Sequence, residues 1–285
     1  MKRDLSLPKN NNIKKIRLSC FVCILVLLSS SATFALDPIG STITNLQPRQ
    51  FQLGFEYCHS SMDFKLIDGK FMDFVDGSLN DSGKSIDLAL KEFEKTNSFV
   101  NFGYSIDRNW EVFLRIGTTK AKFGDSLLRE GEKFESDSTP ALGGGIKATL
   151  YDGRNFKIGG LIQANWAHYN GQLNSPQRPL PQFVETDIKE IQIALGANYM
   201  LIDGLWIYGG PLVHFLKGEF DNTLIQEAKT GTFQLIDSSW DIEQDSMYGG
   251  YLGTQLEIGK NCHINIEYQF TGGADAYGAG IVLGF

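Results

Sequence analysis

The sequence predicts an all-β protein, a single antiparallel transmembrane β-barrel of about ten strands with short periplasmic turns and long external loops. Three observations support this prediction: apolar and polar residues alternate with a period of two, short and long polar connections follow each other in turn, and the last segment is an alternating strand that ends at Phe285. The mean hydropathy of -0.15 agrees with a barrel, because only every second residue of a barrel strand faces lipid.

The first 35 residues have the layout of a secretory signal peptide. Six basic residues precede an apolar run at 21–28, which is too short to span a bilayer as a helix. Small residues at Thr33 and Ala35 favour cleavage after Ala35, and export to the bacterial outer membrane is therefore expected. The predicted organisation is a signal peptide at 1–35, a periplasmic N-terminal segment at 36–49 and an outer-membrane barrel at 50–285.

The net charge excludes one class of partner. The whole chain carries -7, and removal of 1–35, with its six basic residues and one acidic residue, leaves -12. Because phosphate binding requires clustered lysine and arginine, we expect no nucleic-acid partner. No feature of the sequence specifies an oligomeric state.

Period-2 alternation and turn residues divide the chain into candidate membrane strands. Tight-turn residues such as Asp203-Gly204 separate some neighbours, and long polar segments at roughly 62–92, 122–138, 170–185 and 218–245 separate the others. An even number of strands places both chain ends on the periplasmic side. The predicted strands are 50–61, 94–106, 110–121, 139–151, 156–169, 186–200, 205–217, 246–258, 262–271 and 276–285.

The last strand carries a family resemblance. Residues 50–285 resemble the small outer-membrane barrels of Gram-negative bacteria, such as the OmpA-like and opacity-type surface proteins. The resemblance implies that Tyr277, Ile281, Leu283 and Phe285 form a signal for the barrel-assembly machinery. A periplasmic or secreted β-sandwich is the alternative; it accounts for the alternation and the signal peptide, but not for the loop asymmetry or the terminal phenylalanine.

The outward-facing aromatic residues are predicted to form two belts, because amphipathic rings prefer the two membrane interfaces. Heights are counted from the short turns. The periplasmic belt comprises Tyr104, Trp110, Tyr199 and Phe285, and the outer belt comprises Tyr57, Trp166, Phe215, Tyr248, Tyr268 and Tyr277.

The inward-facing positions are polar, and four charges fall at about mid-barrel. Glu56, Arg115, Lys147 and Glu267 are predicted to form an ion-pair network in the lumen, since an unpaired buried charge is costly. A mostly occluded lumen is expected, because barrels of near eight strands have interiors that side chains can fill. The alternative is a narrow porin-like channel for small solutes.

The external loops are acidic, and the expected role is that of an envelope or surface protein that acts through them. Asp73, Asp76 and Asp81, with Asn80, are calcium candidates, although their spacing differs from the EF-hand template. The expected partners are outer-membrane lipid and lipopolysaccharide.

An outer-membrane enzyme with an active site at the barrel rim is a further alternative. The sequence contains no G-x-S-x-G, H-E-x-x-H or Walker motif, and we expect neither an enzyme nor a cofactor. The rim histidines leave two pairs conceivable, His214 with Asp221 and His59 with Ser60.

Overall fold

The computed structural model describes residues 36–124, 133–174, 182–227, 233–244, 246–259 and 261–285. Within these ranges no helix is long and apolar enough to cross a membrane. The regular structure of the described residues is strand: β1 Phe51–Val75, β2 Ser78–Lys84, β3 Leu88–Ser105, β4 Trp110–Gly124, β5 Lys133–Ser136, β6 Thr139–Asp152, β7 Phe156–Asn174, β8 Gln182–Ile202, β9 Leu205–Glu227, β10 Phe233–Gln244, β11 Tyr248–Glu257, β12 Cys262–Thr271 and β13 Ala274–Gly284.

Ten of these strands form a closed antiparallel ring in the order β1, β3, β4, β6, β7, β8, β9, β11, β12 and β13. The ring closes where β13 pairs with β1, from Gln52 opposite Gly284 to Met62 opposite Ala274. Each of the ten predicted strands overlaps one strand of this ring, so the predicted fold class is confirmed.

The barrel wall continues beyond this ring with fewer strands. β11, β12 and β13 stop, and β10 bridges the gap by pairing with β1 on one side and with β9 on the other. β5 takes the place of β6 between β4 and β7. The upper ring therefore has eight strands: β1, β3, β4, β5, β7, β8, β9 and β10.

The long external connections predicted over 62–92 and 218–245 are not irregular loops, because most of their described residues belong to strands. The segments 122–138 and 170–185 also contain strand residues. These segments keep the period-2 alternation: Phe64 is buried whereas Lys65 is exposed. In the sequence these strands resemble loops because their outward residues are polar. The outward residues are polar because this part of each strand lies outside the membrane and faces water.

Candidate functional site

Residues 36–44 and Leu46 of the N-terminal segment are buried inside the barrel, whereas the whole segment 36–49 was predicted to lie in the periplasm. Leu36, Thr42 and Ile43 are buried, and the segment reaches the wall only where β1 begins at Phe51. The physical reason is that the lumen wall is polar and enclosed. Buried polar groups need hydrogen-bond partners, and the backbone of this segment supplies them.

Hydrogen bonds from two strands, β12 and β4, hold the segment in place. The Ile39 amide donates to Glu267 Oε1 at 2.8 Å, and Gln269 Nε2 donates to the carbonyl oxygen of Asp37 at 2.8 Å. On the opposite wall, Arg115 Nη2 donates to the carbonyl oxygen of Pro38 at 3.2 Å. The first residues of the segment therefore bridge the lumen from wall to wall.

The predicted mid-barrel network is brought together only in part. Arg115 forms an ion pair with Glu56, and both side chains point into the lumen. Glu267 instead binds the N-terminal segment, and Lys147 Nζ lies 5.6 Å from the centre of the Phe113 ring. The heights of these residues were counted along the strands alone, so the N-terminal segment was not taken into account. That segment occupies the space between the four charges.

A second charged cluster, which the sequence analysis did not single out, lies nearer the outer end of the lumen. Lys95 Nζ is 2.5 Å from Glu190 Oε1 and 3.4 Å from Asp37 Oδ1, and His214 Nε2 is 3.6 Å from Glu190 Oε2. All four side chains are buried, so each charge depends on the others for its stabilisation. Strand parity alone places Lys95 inside, but the contact with Asp37 requires the folded segment.

Above this cluster the interior of the barrel becomes hydrophobic. Phe93 packs edge-on against Tyr169 with ring centroids 5.7 Å apart, and Phe123 stacks on Phe134 at 4.7 Å. These rings belong to one packed cluster, which extends from the upper ring down to Phe99 beside Arg115 and which we call the aromatic seal. The aromatic seal comprises Phe64, Phe93, Phe99, Phe123, Phe134, Tyr169, Phe220 and Trp240, with aliphatic residues between them.

Two cavities that border the N-terminal segment in the lower lumen are small. A cavity of about 30 Å³ borders Pro38, Glu56 and Arg115, and one of about 80 Å³ borders Asn45 and His263. The first is about the volume of one water molecule and the second of two or three. The N-terminal segment and the aromatic seal thus fill the lumen at two successive levels.

The two predicted aromatic belts lie on the outer surface. Tyr104 is half-buried and the other nine side chains are exposed, which is the orientation expected of lipid-facing residues: Trp110, Tyr199 and Phe285 towards the short turns, and Tyr57, Trp166, Phe215, Tyr248, Tyr268 and Tyr277 towards the other end. Ile281 and Leu283, predicted to belong to the assembly signal with Tyr277 and Phe285, share this outward face.

The two conceivable histidine pairs are not formed, because strand parity separates their members. His59 faces outward and contacts Thr96 Oγ1 at 3.0 Å, whereas Ser60 is fully buried on the lumen side. His214 faces the lumen, and Asp221 is exposed on the outer wall.

The calcium candidates have other partners. Asp73 is buried and accepts hydrogen bonds from Asn80 Nδ2 at 2.9 Å and from Gln234 Nε2 at 2.8 Å. Asp76 and Gly77 both have positive φ and form the two-residue turn between β1 and β2, as in a type I′ hairpin. Asp81 lies opposite Asp73 on β2. In the parts of the chain that the structure describes, no three histidine, cysteine or acidic side chains are grouped to hold a metal.

No family model matches this sequence, and no curated protein matches it. Solved structures do. The outer membrane protease OmpT from Escherichia coli is 11% identical, with a TM-score of 0.45, over 86% of this chain and all of that one. The translocator domain of the autotransporter NalP from Neisseria meningitidis is 11% identical, with a TM-score of 0.40, over 95% of both chains.

The outer membrane protein OprG from Pseudomonas aeruginosa is 12% identical, with a TM-score of 0.39, over 84% of this chain and 97% of that one. These similarities concern the fold, and their activities do not transfer to this chain. The closed ring and the outward apolar belts are the features that a membrane-spanning barrel requires. The chain is therefore an antiparallel transmembrane β-barrel, with ten strands in its hydrogen-bonded ring.

Proposed function

We propose that this protein is a non-conducting surface barrel that acts through the wall it raises above the membrane. The observation that carries the proposal is the double closure of the lumen, by residues 36–49 below and by the aromatic seal above. A barrel interior that side chains and one chain segment fill has no room for a solute path. We therefore expect the residues of the outer surface to carry the function.

The outer surface of the upper wall is acidic. Its outward positions on β8, β9 and β10 are rich in carboxylates, and they are held on strands instead of mobile loops. Acidic groups on a rigid wall favour contacts with cationic groups of the cell envelope or of other proteins. The outward acids on these strands include Glu185, Asp187, Glu219, Asp221 and Asp241.

Three further expectations belong to the same proposal. Cleavage near Ala35 releases the barrel into the export pathway, and the barrel-assembly machinery reads the strand that ends at Phe285. The aromatic belts then contact outer-membrane lipid, including lipopolysaccharide. No catalytic role is proposed, because the conceivable rim pairs have their members on opposite faces of the wall.

Two of the four cysteines, Cys58 and Cys262, provide a test of the closed lumen. Cys58 is buried on the lumen side and donates to the carbonyl oxygen of Leu36 at 2.9 Å. Cys262 is half-buried at the periplasmic end, opposite Leu283. Because a thiol reagent needs access to its target, we expect a water-soluble methanethiosulfonate to label Cys262 at least about tenfold faster than Cys58 in the folded protein.

Mass spectrometry of peptides after timed labelling measures both rates in one sample, and unfolded protein gives the reference in which the rates converge. In parallel, the protein in planar bilayers should show no stepwise conductance. Equal labelling of Cys58 and Cys262 in the folded state, or regular conductance steps, would show an open lumen and support the narrow channel instead.

A further inference from the structure

On β8 and β9 the outer wall changes from apolar to charged within one pair of residues. Ile191 lies opposite Phe215, and both are exposed. The next outward-facing pair along the same strands is Lys189 opposite Lys217, also exposed. Exposed apolar side chains end at the edge of the hydrocarbon, so this lysine pair lies at the level of the lipid headgroups.

Neither lysine of the pair forms an ion pair with a described carboxylate, although Glu243 on β10 lines the same groove. Like charges directly opposite each other on neighbouring strands destabilise a sheet. Two other lysines of the outer wall do have carboxylate partners: Lys122 Nζ is 2.5 Å from Glu94, and Lys157 Nζ is 2.8 Å from Asp152. Within the described residues, neither Lys189 nor Lys217 has such an ion pair. An anion from outside the chain would relieve the repulsion.

An aromatic ring extends the same row. Trp166 on β7 lies in register with Lys189, so a tryptophan and two lysines stand side by side across three adjacent strands. The three residues line one groove of about 750 Å³ on the outer wall. A tryptophan at the interface can pack on acyl chains or sugar rings while the ammonium groups reach a charged headgroup.

The neighbouring charges restrict the direction from which an anion can approach. The next outward row away from the membrane is acidic, with Asp187 opposite Glu219 and Glu219 opposite Asp241. His168 Nδ1 contacts Asp187 at 3.3 Å, and the other two carboxylates of this row are exposed. The acidic row repels soluble polyanions that come from the water side, whereas an anion carried by a lipid reaches the lysines from the membrane side.

We propose that Lys189, Lys217 and Trp166 bind the phosphorylated headgroup of an outer-leaflet lipid. The ammonium groups contact the phosphate, and the tryptophan packs on the lipid beside it. This proposal depends on the membrane position of the barrel but not on the closed lumen, so labelling of Cys58 and lipid binding fail independently.

The test uses the purified protein in nanodiscs of a zwitterionic phospholipid that contain a small fraction of phosphatidic acid. Native mass spectrometry then measures the phosphatidic acid that stays bound after release from the disc. Lys189→Gln and Lys217→Gln are each expected to reduce this retention about fivefold, and the double variant on the order of 25-fold. The matched control is Lys70→Gln/Lys84→Gln, which removes another pair of directly opposed lysines, located on β1 and β2 of the upper wall.

The control should retain phosphatidic acid as the unaltered protein does. Diacylglycerol with the same acyl chains should show no enrichment in any variant, and millimolar inorganic phosphate should not displace the bound lipid. If the control and the double variant lose the same amount of bound phosphatidic acid, the loss depends only on net charge, and the proposed site is overturned. Displacement by inorganic phosphate would show a site for free anions and would also contradict the proposal.

Discussion

The lower and upper halves of this barrel share six strands, β1, β3, β4, β7, β8 and β9, but have opposite polarity. On β8, Ile191 faces outward and Gln192 inward, as expected for a wall between lipid and a polar lumen. Further along the same strand, Lys189 faces outward and Ile188 inward, as expected for a soluble domain with a hydrophobic core. β1 shows the same reversal between Phe55 and Lys65.

The reversal takes place without any change of strand parity. In the stretch of β8 that crosses the boundary, even-numbered residues point inward on both sides of it. What changes is the medium outside the wall, which is lipid around the lower half and water around the upper half. Apolar side chains therefore face outward in the lower half and inward in the upper half. The boundary between the halves is therefore a structural marker of the outer membrane surface.

The largest expected effect concerns the two environments of phenylalanine on β3. Phe93 is buried in the aromatic seal, whereas Phe102 is exposed on the lower outer surface. Phe93→Ala should destabilise the upper wall by about 3–5 kcal/mol, because it leaves a cavity in a packed core. Phe102→Ala should cost less than half of this, because lipid fills the space. Native-state hydrogen exchange of the β1 and β3 amides measures the difference. Equal losses of stability in the two variants would contradict a hydrophobic core, like that of a soluble protein, above the membrane.

A slightly smaller effect is expected from charge on the outer face of β4. Leu114 is exposed in the lower half, and Thr118 is exposed four residues further up the same face. Leu114→Arg should cost about 2–4 kcal/mol, because it places a charge near the middle of the hydrocarbon, and Thr118→Arg should cost at most about 1 kcal/mol. Reversible unfolding from lipid vesicles gives both values. A reversed order would move the boundary below Leu114.

The smallest expected effect concerns an ion pair of the upper outer wall. The Lys122 side chain is 58% exposed where it meets Glu94, in contrast to the buried Lys95. Lys122→Met should change the free energy of unfolding by about 0.2–1 kcal/mol, and by less as salt increases, since water screens the pair. Denaturant unfolding at low and high salt provides the measurement. A loss of several kcal/mol that salt leaves unchanged would show that this part of the wall is not in contact with water.

The sequence was sufficient to predict the membrane-spanning strands, because they combine alternation with an apolar outer face. β12 was predicted at its observed bounds, Cys262–Thr271. The upper strands could not be found in this way, since their outward residues resemble those of solvated loops. Asp68 and Glu92 adopt positive φ near irregularities in the pairing of β1, which further interrupts the period that sequence reading depends on.

Residues of the candidate site could be predicted only where the alternation of inward and outward positions along a strand was sufficient to place them. Parity correctly places Glu56 and Arg115 on the lumen side, where they form their ion pair. It provides no information on the segment 36–49, which is not a strand, so the contacts of Asp37 and Ile39 with the wall could not be anticipated. The opposed lysines of β8 and β9 depend on the register between two strands, which follows from the fold and not from either segment alone.

The change from ten strands to eight has a consequence for the neighbours of this protein in the membrane plane. β11, β12 and β13 end at the boundary, and only two residues join Thr271 to Ala274. Above them β10 alone spans from β9 to β1, so one strand of the upper ring stands over three strands of the membrane ring. Since the diameter of a barrel grows with its number of strands, the upper wall is narrower than the membrane ring on this flank, where Tyr248 is exposed. The barrel thus has a distinct side for lateral approach, although its membrane ring is closed all the way round.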